Sequence, residues 1–124
     1  MPILVLSEPL EEEIEAMVEW SLTPIVYRSS FTEAVAEIAA RKDATPYPVH
    51  LKVDTGMHRV GADPRAAFEL ALRISADDRL ELQGISTHFP VAESDRDFTA
   101  GQIAALADFR GRLATEGIQV DYVH

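Results

Sequence analysis

Ionisable side chains whose spacing could do chemistry lie in residues 50–61 of this 124-residue chain, in the run HLKVDTGMHRVG. His50, Lys52 and Asp54 alternate with apolar residues, so a strand here would carry its ionisable groups on one face. Arg59 follows near the carboxyl end of that strand, the end at which α/β proteins gather their binding sites. An amine, a carboxylate and a guanidinium in this order predict a functional site at the end of a strand.

A structural explanation accounts for the same pattern. If the strand is buried on both faces, Lys52 and Asp54 must be paired or hydrogen-bonded, because an isolated buried charge costs several kcal/mol or changes its protonation state. A Lys/Asp pair inside a barrel or at a sheet edge would meet this requirement without any function. Spacing alone therefore leaves a functional site and a structural ion pair as alternatives.

The elements that must position these residues alternate between strand and helix. Short apolar runs predict the strands, and apolar residues at helical spacing behind capping residues predict the helices. Leu10, Leu72 and Ile103 are among the residues expected to face the core, and Gly117 is expected to end the last helix. The predicted strands are residues 3–6, 23–27, the strand around Lys52, 82–89 and 120–124. The predicted helices are one with Pro9 in its first turn, one capped at residues 29–30, one capped at residues 63–64, and one over residues 99–116.

This order, β-α-β-α-β-α-β-α-β with loops short enough for right-handed crossovers, predicts an α/β fold built on a parallel sheet. The composition then narrows the partners and the compartment. A formal net charge of −10 argues against nucleic-acid binding, which needs a basic patch, and against attraction to anionic membranes. The chain has no cysteine, no apolar run near the roughly 18 residues of a membrane span, and no basic leader at its start. We expect a cytoplasmic location.

Two ordered motifs resemble those of alanine racemases, the enzymes that interconvert L- and D-alanine with pyridoxal phosphate. The first motif is HLKVDTGM at residues 50–57, followed by Arg59. The second motif is GISTHF at residues 84–89, followed at similar separation by Gln102 and Phe109. Two motifs in the right order are much more specific than either motif alone.

The resemblance implies a fold larger than this chain, because a complete (β/α)8 TIM barrel needs about 250 residues. Residues 1–124 are therefore expected to be one segment of the N-terminal barrel domain of an alanine racemase. We expect a partial (β/α)8 TIM barrel with about strands 3 to 7, incomplete at both ends. The whole protein is expected to be a homodimer that binds alanine and pyridoxal phosphate and supplies D-alanine for peptidoglycan.

The resemblance also implies roles for individual residues. Arg59 matches the arginine that reaches the phenolic oxygen of pyridoxal phosphate and the carboxylate of the substrate. Lys52 matches a lysine that is often carbamylated by carbon dioxide, which turns a cation into an anion that holds the arginine. His88 matches a histidine beneath the cofactor ring, and Leu6 matches an apolar residue that packs on the cofactor. His124 matches the histidine just before an Ala-Asn-Ser segment of the family.

No catalytic residue of the family is expected within this chain. The lysine that carries the cofactor lies upstream on the first barrel strand, and the catalytic tyrosine lies on a C-terminal domain and acts across a dimer. The isolated chain is therefore expected to be inactive. His58 and Pro90 depart from the family pattern in the two loops that follow the motif strands, where they bear on loop geometry.

Three other functions compete with this interpretation. A related racemase acting on serine or lysine would share both motifs. A non-catalytic α/β remnant or binding module would keep Lys52 and Arg59 without their chemistry. A metal site made from the four histidines with Asp54 or Glu93 fits no compact ligand spacing, so no metal is predicted.

Overall fold

The computed structural model describes residues 2–124, in which four helices alternate with the strands of one parallel sheet. The strands are β1 (Ile3–Val5), β2 (Leu22–Val26), β3 (Tyr47–Lys52), β4 (Leu80–Ser86) and β5 (Tyr122–Val123). The helices are α1 (Ile14–Glu19), which a 3-10 turn (Glu11–Glu13) precedes, α2 (Ser29–Arg41), α3 (Pro64–Ser75) and α4 (Arg96–Thr115). The spatial order of the strands follows the chain, and each pairing is parallel. The sheet curls into part of a TIM barrel, which confirms the predicted fold class.

Capping residues explain where the two helices nearest the site begin and where the last one ends. The Asp63 carboxylate accepts hydrogen bonds from the backbone N–H groups of Arg65 and Ala66, at 3.0 and 3.2 Å, and so starts α3. The Asp95 carboxylate accepts the N–H of Phe98 at 2.9 Å and starts α4. Gly117 ends α4 with a φ of 77°, a conformation that glycine adopts without a Cβ clash.

The outer face of the sheet packs against the helices and forms the hydrophobic core. Val49, Leu51 and Ile85 are fully buried on this face. Burying each such aliphatic side chain stabilises the fold by about 1.5–3 kcal/mol. The helices contribute a matching set of buried side chains, which includes Phe31, Val35, Ala39, Ala67, Ala71, Ile74, Leu106, Phe109 and Leu113.

Tyr47 joins the first half of the sheet to the helix that covers it. Its buried hydroxyl donates its proton to the backbone carbonyl of Leu22, at 2.6 Å, and the carbonyl oxygen of Met17 lies at 3.2 Å as a second acceptor. Burial raises the pKa of Tyr47 to about 12, because the phenolate would lose its hydration. The start of β3 is thereby tied to α1 and β2 by a neutral hydroxyl.

Three residues expected in the core are exposed instead. Leu10, Leu72 and Ile103 have 63%, 38% and 53% of their surfaces accessible. On α3, Leu70 and not Leu72 faces the core. Leu70 lies one helical turn before the buried Ile74, so the two share the buried side of the helix. None of the helices described within residues 2–124 has the length and apolar character needed to cross a membrane.

Candidate functional site

The inner face of the sheet carries the ionisable residues that the sequence analysis singled out. The parallel register places His50 beside Gly84 and Lys52 beside Ser86 on the next strand. Because directly paired residues point to the same side of a sheet, Lys52 and Ser86 share the inner face. Alternation along β3 then leaves Leu51 on the core side, as predicted. The first part of the site is thus a buried amine with a serine hydroxyl on the adjoining strand.

Lys52 is the buried cation of this face, with only 8% of its surface accessible. Burial lowers its pKa from the ordinary value of 10.5, and the positive charge of Arg59 lowers it further. Among the ion pairs that residues 2–124 form, none includes Lys52. A buried lysine with a cationic neighbour and no carboxylate is biased towards its neutral, nucleophilic form.

Asp54 does not pair with Lys52, so the structural ion pair considered above does not form. One oxygen of its carboxylate accepts the backbone N–H groups of Gly56, at 2.9 Å, and His58, at 3.1 Å. The other oxygen lies 3.4 Å from Nδ1 of the His58 ring. Burial acts to raise the pKa of Asp54, but these N–H donors outweigh it and hold the pKa below its usual range.

The turn around Asp54 shapes the β3–α3 loop (residues 53–63), which carries Arg59. Gly56 has a φ of 143°, and His58 a φ of 54°. The unusual residue of the motif, His58, therefore occupies a left-handed conformation that a non-glycine residue adopts only when its surroundings hold it there. The two hydrogen bonds to Asp54 supply that restraint, so the loop has a defined path before it reaches Arg59.

Gly61 leaves room for Lys52 at the far end of the same loop. Its φ is 117°, and an added Cβ would lie 3.1 Å from the backbone nitrogen of Asp54 and 3.3 Å from Cγ of Lys52. A larger residue at this position would press on the Lys52 stem. The glycine that ends residues 50–61 therefore has a steric reason, which the sequence alone did not show.

Ser86 adds an unused hydrogen-bond donor beside Lys52. The residue is 2% exposed, and its Oγ has no hydrogen-bond partner within the described residues. Buried hydroxyls without partners are uncommon in folded proteins, because each one costs about 1–3 kcal/mol. The hydroxyl of Ser86 can therefore satisfy a ligand or a modified side chain at the inner face.

Two histidines meet on the inner face next to Lys52. His50 Nδ1 lies 2.8 Å from His124 Nε2, and the ring of His50 also stacks on Tyr122 at 5.7 Å between centroids. Burial lowers the pKa of His50, and His124 lowers it further. Burial likewise lowers the pKa of His124, with the charge of Lys52 as the second cause. The pair is therefore biased towards two neutral rings that share one hydrogen bond.

The other predicted site residues lie at the carboxyl edge of the sheet, where parallel strands bring their ends together. Leu6 follows β1 and is 68% exposed, so most of its apolar surface is not covered by the described residues. Arg59 is exposed on the β3–α3 loop, and His88 is exposed on the β4–α4 loop (residues 87–95). The predicted strand over residues 82–89 included His88, but β4 ends at Ser86. His88 therefore lies beyond the strand, and the prediction is wrong at this position. No hydrogen bond within residues 2–124 joins the His88 ring to Lys52 or Arg59.

A polar network that the sequence analysis assigned no role links these two loops. Thr55 and Thr87 follow β3 and β4, and their hydroxyl oxygens lie 2.7 Å apart. Gln102 of α4 donates from Nε2 to the Thr55 hydroxyl at 3.2 Å and to the His88 carbonyl at 3.1 Å. The available signal was a threonine shortly after the end of each of two neighbouring strands, since the carboxyl ends of parallel strands lie side by side.

In the described part of the chain, the four histidines and the acidic residues do not form the metal site that was considered as an alternative. Residues 2–124 contain no group of three histidine or acidic side chains placed to hold one metal ion. Two of the four histidines, His50 and His124, do meet, but His58 pairs with Asp54 and His88 lies exposed in its own loop.

The curled parallel sheet, with Lys52 and Arg59 near its carboxyl edge, is part of a (β/α)8 barrel, a fold whose ligand sites gather at that edge. The comparisons with known proteins then identify the family. The model of the alanine racemase N-terminal domain matches residues 1–124. The chain therefore belongs to the alanine racemase family, in the barrel portion of that fold.

Curated relatives support the same assignment over nearly the full chain. The alanine racemase of Treponema denticola is 35% identical over 127 residues, which cover 99% of this chain and 33% of that protein. The alanine racemase of Methanococcus maripaludis is 36% identical over 125 residues, with the same coverage of 99% and 33%. The chain thus spans about a third of the length of the curated relatives that it matches.

Solved structures share the fold. Alanine racemase of Clostridium difficile 630 superposes with a TM-score of 0.91 at 26% identity, over 100% of this chain and 33% of that one. Alanine racemase from E. faecalis gives 0.80 at 30% identity, over 99% and 33%. A histidine racemase from Leuconostoc mesenteroides gives 0.85 at 26% identity, over 100% and 33%. The predicted partial barrel is confirmed.

Proposed function

We propose that this chain is the part of an alanine racemase barrel that presents a lysine and an arginine to pyridoxal phosphate and an amino-acid substrate. One observation carries the proposal: Lys52 is buried without a carboxylate partner and within the electrostatic reach of Arg59. Family membership gives the site its expected chemistry, and the activity, substrate and partners are proposed for a longer protein that contains this chain.

The residues at the carboxyl edge fit contact with the cofactor. Arg59 would bind its phenolic oxygen and the substrate carboxylate, because a planar, permanently charged guanidinium suits both oxygens. Leu6 offers an exposed apolar surface at the end of β1, and His88 lies in the loop after β4. Pyridoxal phosphate, when bound, would supply the electron sink that makes the α-proton of the amino acid removable.

Lys52 fits a carbamate better than an ammonium ion. Its neutral nitrogen would attack the carbon of CO2, forming an N–C bond while one C–O π bond shifts its electrons to oxygen. One N–H proton then leaves to solvent, so the product is an anion of charge −1. This anion would relieve the repulsion between Lys52 and Arg59 and would accept a hydrogen bond from a donor such as the unused Ser86 hydroxyl. The site would then hold Arg59 by attraction.

Proton transfer in this proposal depends on groups outside the chain. Lys42, the other lysine, lies 2.7 Å from Glu19 in an ion pair at the end of α2, before the amino end of β3, whereas the site loops follow the carboxyl ends of the strands. Neither lysine is proposed as the cofactor-bearing one, so the isolated chain should have no racemase activity. The longer protein is proposed to be a cytoplasmic homodimer that supplies D-alanine for peptidoglycan.

The substrate could also be another amino acid, because a histidine racemase shares this part of the barrel. The test is a racemisation assay on the longest polypeptide whose reading frame contains this chain, with pyridoxal phosphate and, separately, alanine, serine, lysine and histidine. Fastest turnover of alanine, lost in Arg59→Ala and reduced in Arg59→Lys, is the expected result. Turnover of none of the four amino acids would overturn the proposed function, and preference for another would replace the substrate.

A further inference from the structure

Gln102 lies between the two loops that carry the candidate ligand-binding residues. Its side chain extends from α4 and is only 2% exposed. From a single nitrogen, Nε2, it donates to the Thr55 hydroxyl in the β3–α3 loop and to the His88 carbonyl in the β4–α4 loop. One buried amide thus binds both loops at once.

The direction of these hydrogen bonds is determined by the acceptors. The His88 carbonyl can only accept, so the amide group must turn its nitrogen, not its oxygen, towards the loops. The Thr55 oxygen accepts from Gln102 and also shares a hydrogen bond with the oxygen of Thr87, 2.7 Å away, in which either hydroxyl can be the donor. The Oε1 atom of Gln102 has no partner within the described residues, so the contribution of the side chain comes from its two N–H groups.

Thr55, which Gln102 binds, lies in the same β3–α3 loop as Arg59. Thr55 lies inside the Asp54 turn, whose hydrogen bonds to Gly56 and His58 give the loop its path. Gly56 packs closely on α4 as well, since a Cβ added there would lie 3.1 Å from the Phe98 ring. On the other side, the held carbonyl belongs to His88 itself. Both loops are therefore held against the same helix, α4.

We propose that Gln102 is a positioning residue that couples the loop of Arg59 to the loop of His88. The role of those two residues rests on the proposed function, whereas the coupling is a property of this chain. Loss of the two N–H donors should free both loops together while the strands and the remaining helices keep their structure. A residue that only filled space would not require a donor at this position.

Hydrogen exchange of the full 124-residue chain, followed by nuclear magnetic resonance, tests the coupling without cofactor or substrate. The reporters are the backbone N–H groups of Gly56 and His58, which bind Asp54, and of Thr87, which binds the His124 carbonyl at 2.9 Å. The N–H of Ala67 in α3 is the remote reference. The variant is Gln102→Met, which keeps the length of the side chain and removes the donors, and the matched control is Gln119→Met at an exposed glutamine.

The expected result is exchange faster by on the order of tenfold at the reporters of both loops in Gln102→Met, with Ala67 changed by less than about twofold. Gln119→Met should leave all four rates unchanged. Equal acceleration at Ala67, or acceleration in one loop only, would overturn the coupling. A loop effect that is equally large in Gln119→Met would also overturn it.

Gln102→Glu separates hydrogen bonding from packing. Its carboxylate has nearly the shape of the amide but presents only acceptors to the His88 carbonyl, and protonation returns one donor. The ratio of its loop exchange rates to those of Gln102→Met at the same pH should therefore fall as the pH is lowered. A ratio that does not change with pH contradicts a donor role. If the longer polypeptide shows no racemase activity while the loops respond as expected, only the proposed function is overturned.

Discussion

His50 Nδ1 and His124 Nε2 lie 2.8 Å apart, although β4 separates their strands and 74 positions separate them in the chain. The contact is possible because the intervening residue on β4, paired with His50, is Gly84. A Cβ on Gly84 would lie 2.6 Å from His50 Nδ1 and 2.7 Å from its Cε1, closer than real Cβ contacts. Because Gly84 has no side chain, the His50 ring can occupy the space above it and reach His124.

Gly84→Ala should therefore destabilise the chain by about 1–3 kcal/mol, because the added methyl group must displace the His50 ring from a packed position. Denaturant unfolding of both proteins measures the change. Gly101→Ala is the control, since a Cβ at Gly101 meets nothing within 4 Å. That control should be more stable by about 0.5–1 kcal/mol, because Gly101 lies inside α4. A neutral Gly84→Ala would show that the ring moves freely.

Stability should fall as the pH drops below the ordinary histidine pKa of 6.5. Burial lowers the pKa of His50 and of His124 in the folded chain, so the unfolded chain binds more protons in the window below 6.5. The free energy of unfolding therefore declines through that window and levels off below the folded pKa values. Denaturant unfolding between about pH 8 and about pH 5 measures this decline.

His124→Gln provides the comparison for this pH dependence. The variant removes one titrating ring and also the second cause of the lowered pKa of His50, leaving burial as its main cause. The decline below pH 6.5 should consequently be shallower than in the parent chain. An equally steep decline in the variant would show that other groups dominate the acid response.

Much of the fold followed from the sequence because its causes are local. Alternation through β3 placed Lys52 on the face opposite to Leu51, and Asp63 with Pro64 began α3 where expected. Leu72 was misplaced, since the buried side of α3 depends on which turn meets the sheet.

The site was less predictable because its decisive contacts join distant segments. The sequence offered Lys52 as the partner of Asp54, but backbone N–H groups that the left-handed turn directs inward bind Asp54 instead. Nothing in the spacing showed that His50 would reach His124, or that Gln102 would bind two loops. These contacts depend on how the sheet curls and where α4 lies across its edge.

The isolated chain should not racemise alanine when pyridoxal phosphate is supplied, and it should not bind the cofactor covalently through Lys42 or Lys52. Lys42 is held in its charged form, because the hydrogen bond to Glu19 raises its pKa. Borohydride reduction followed by peptide mass spectrometry would locate any attached lysine, and a coupled D-alanine assay would detect turnover. D-alanine formation above the protein-free control would contradict this prediction and restore a catalytic role to the chain.

Lys52, and not Lys42, should take up carbon dioxide. The two lysines form a matched pair: burial lowers the pKa of Lys52, whereas the hydrogen bond that the exposed Lys42 donates to Glu19 raises the pKa of Lys42. Carbamylation consumes the neutral amine, so the buried lysine has the larger reactive fraction at a given pH. Carbon-13 resonance spectra recorded with labelled bicarbonate should show, apart from the α-amino carbamate, one lysine carbamate signal in the parent chain, growing as the pH rises. The signal should vanish in Lys52→Met and persist in Lys42→Met. Ser86→Ala should reduce it by several-fold without lowering the unfolding free energy, because removing a buried hydroxyl that has no partner among the described residues also removes its desolvation cost. A signal that follows Lys42 would reject the assignment of Lys52 as the carbamylated lysine.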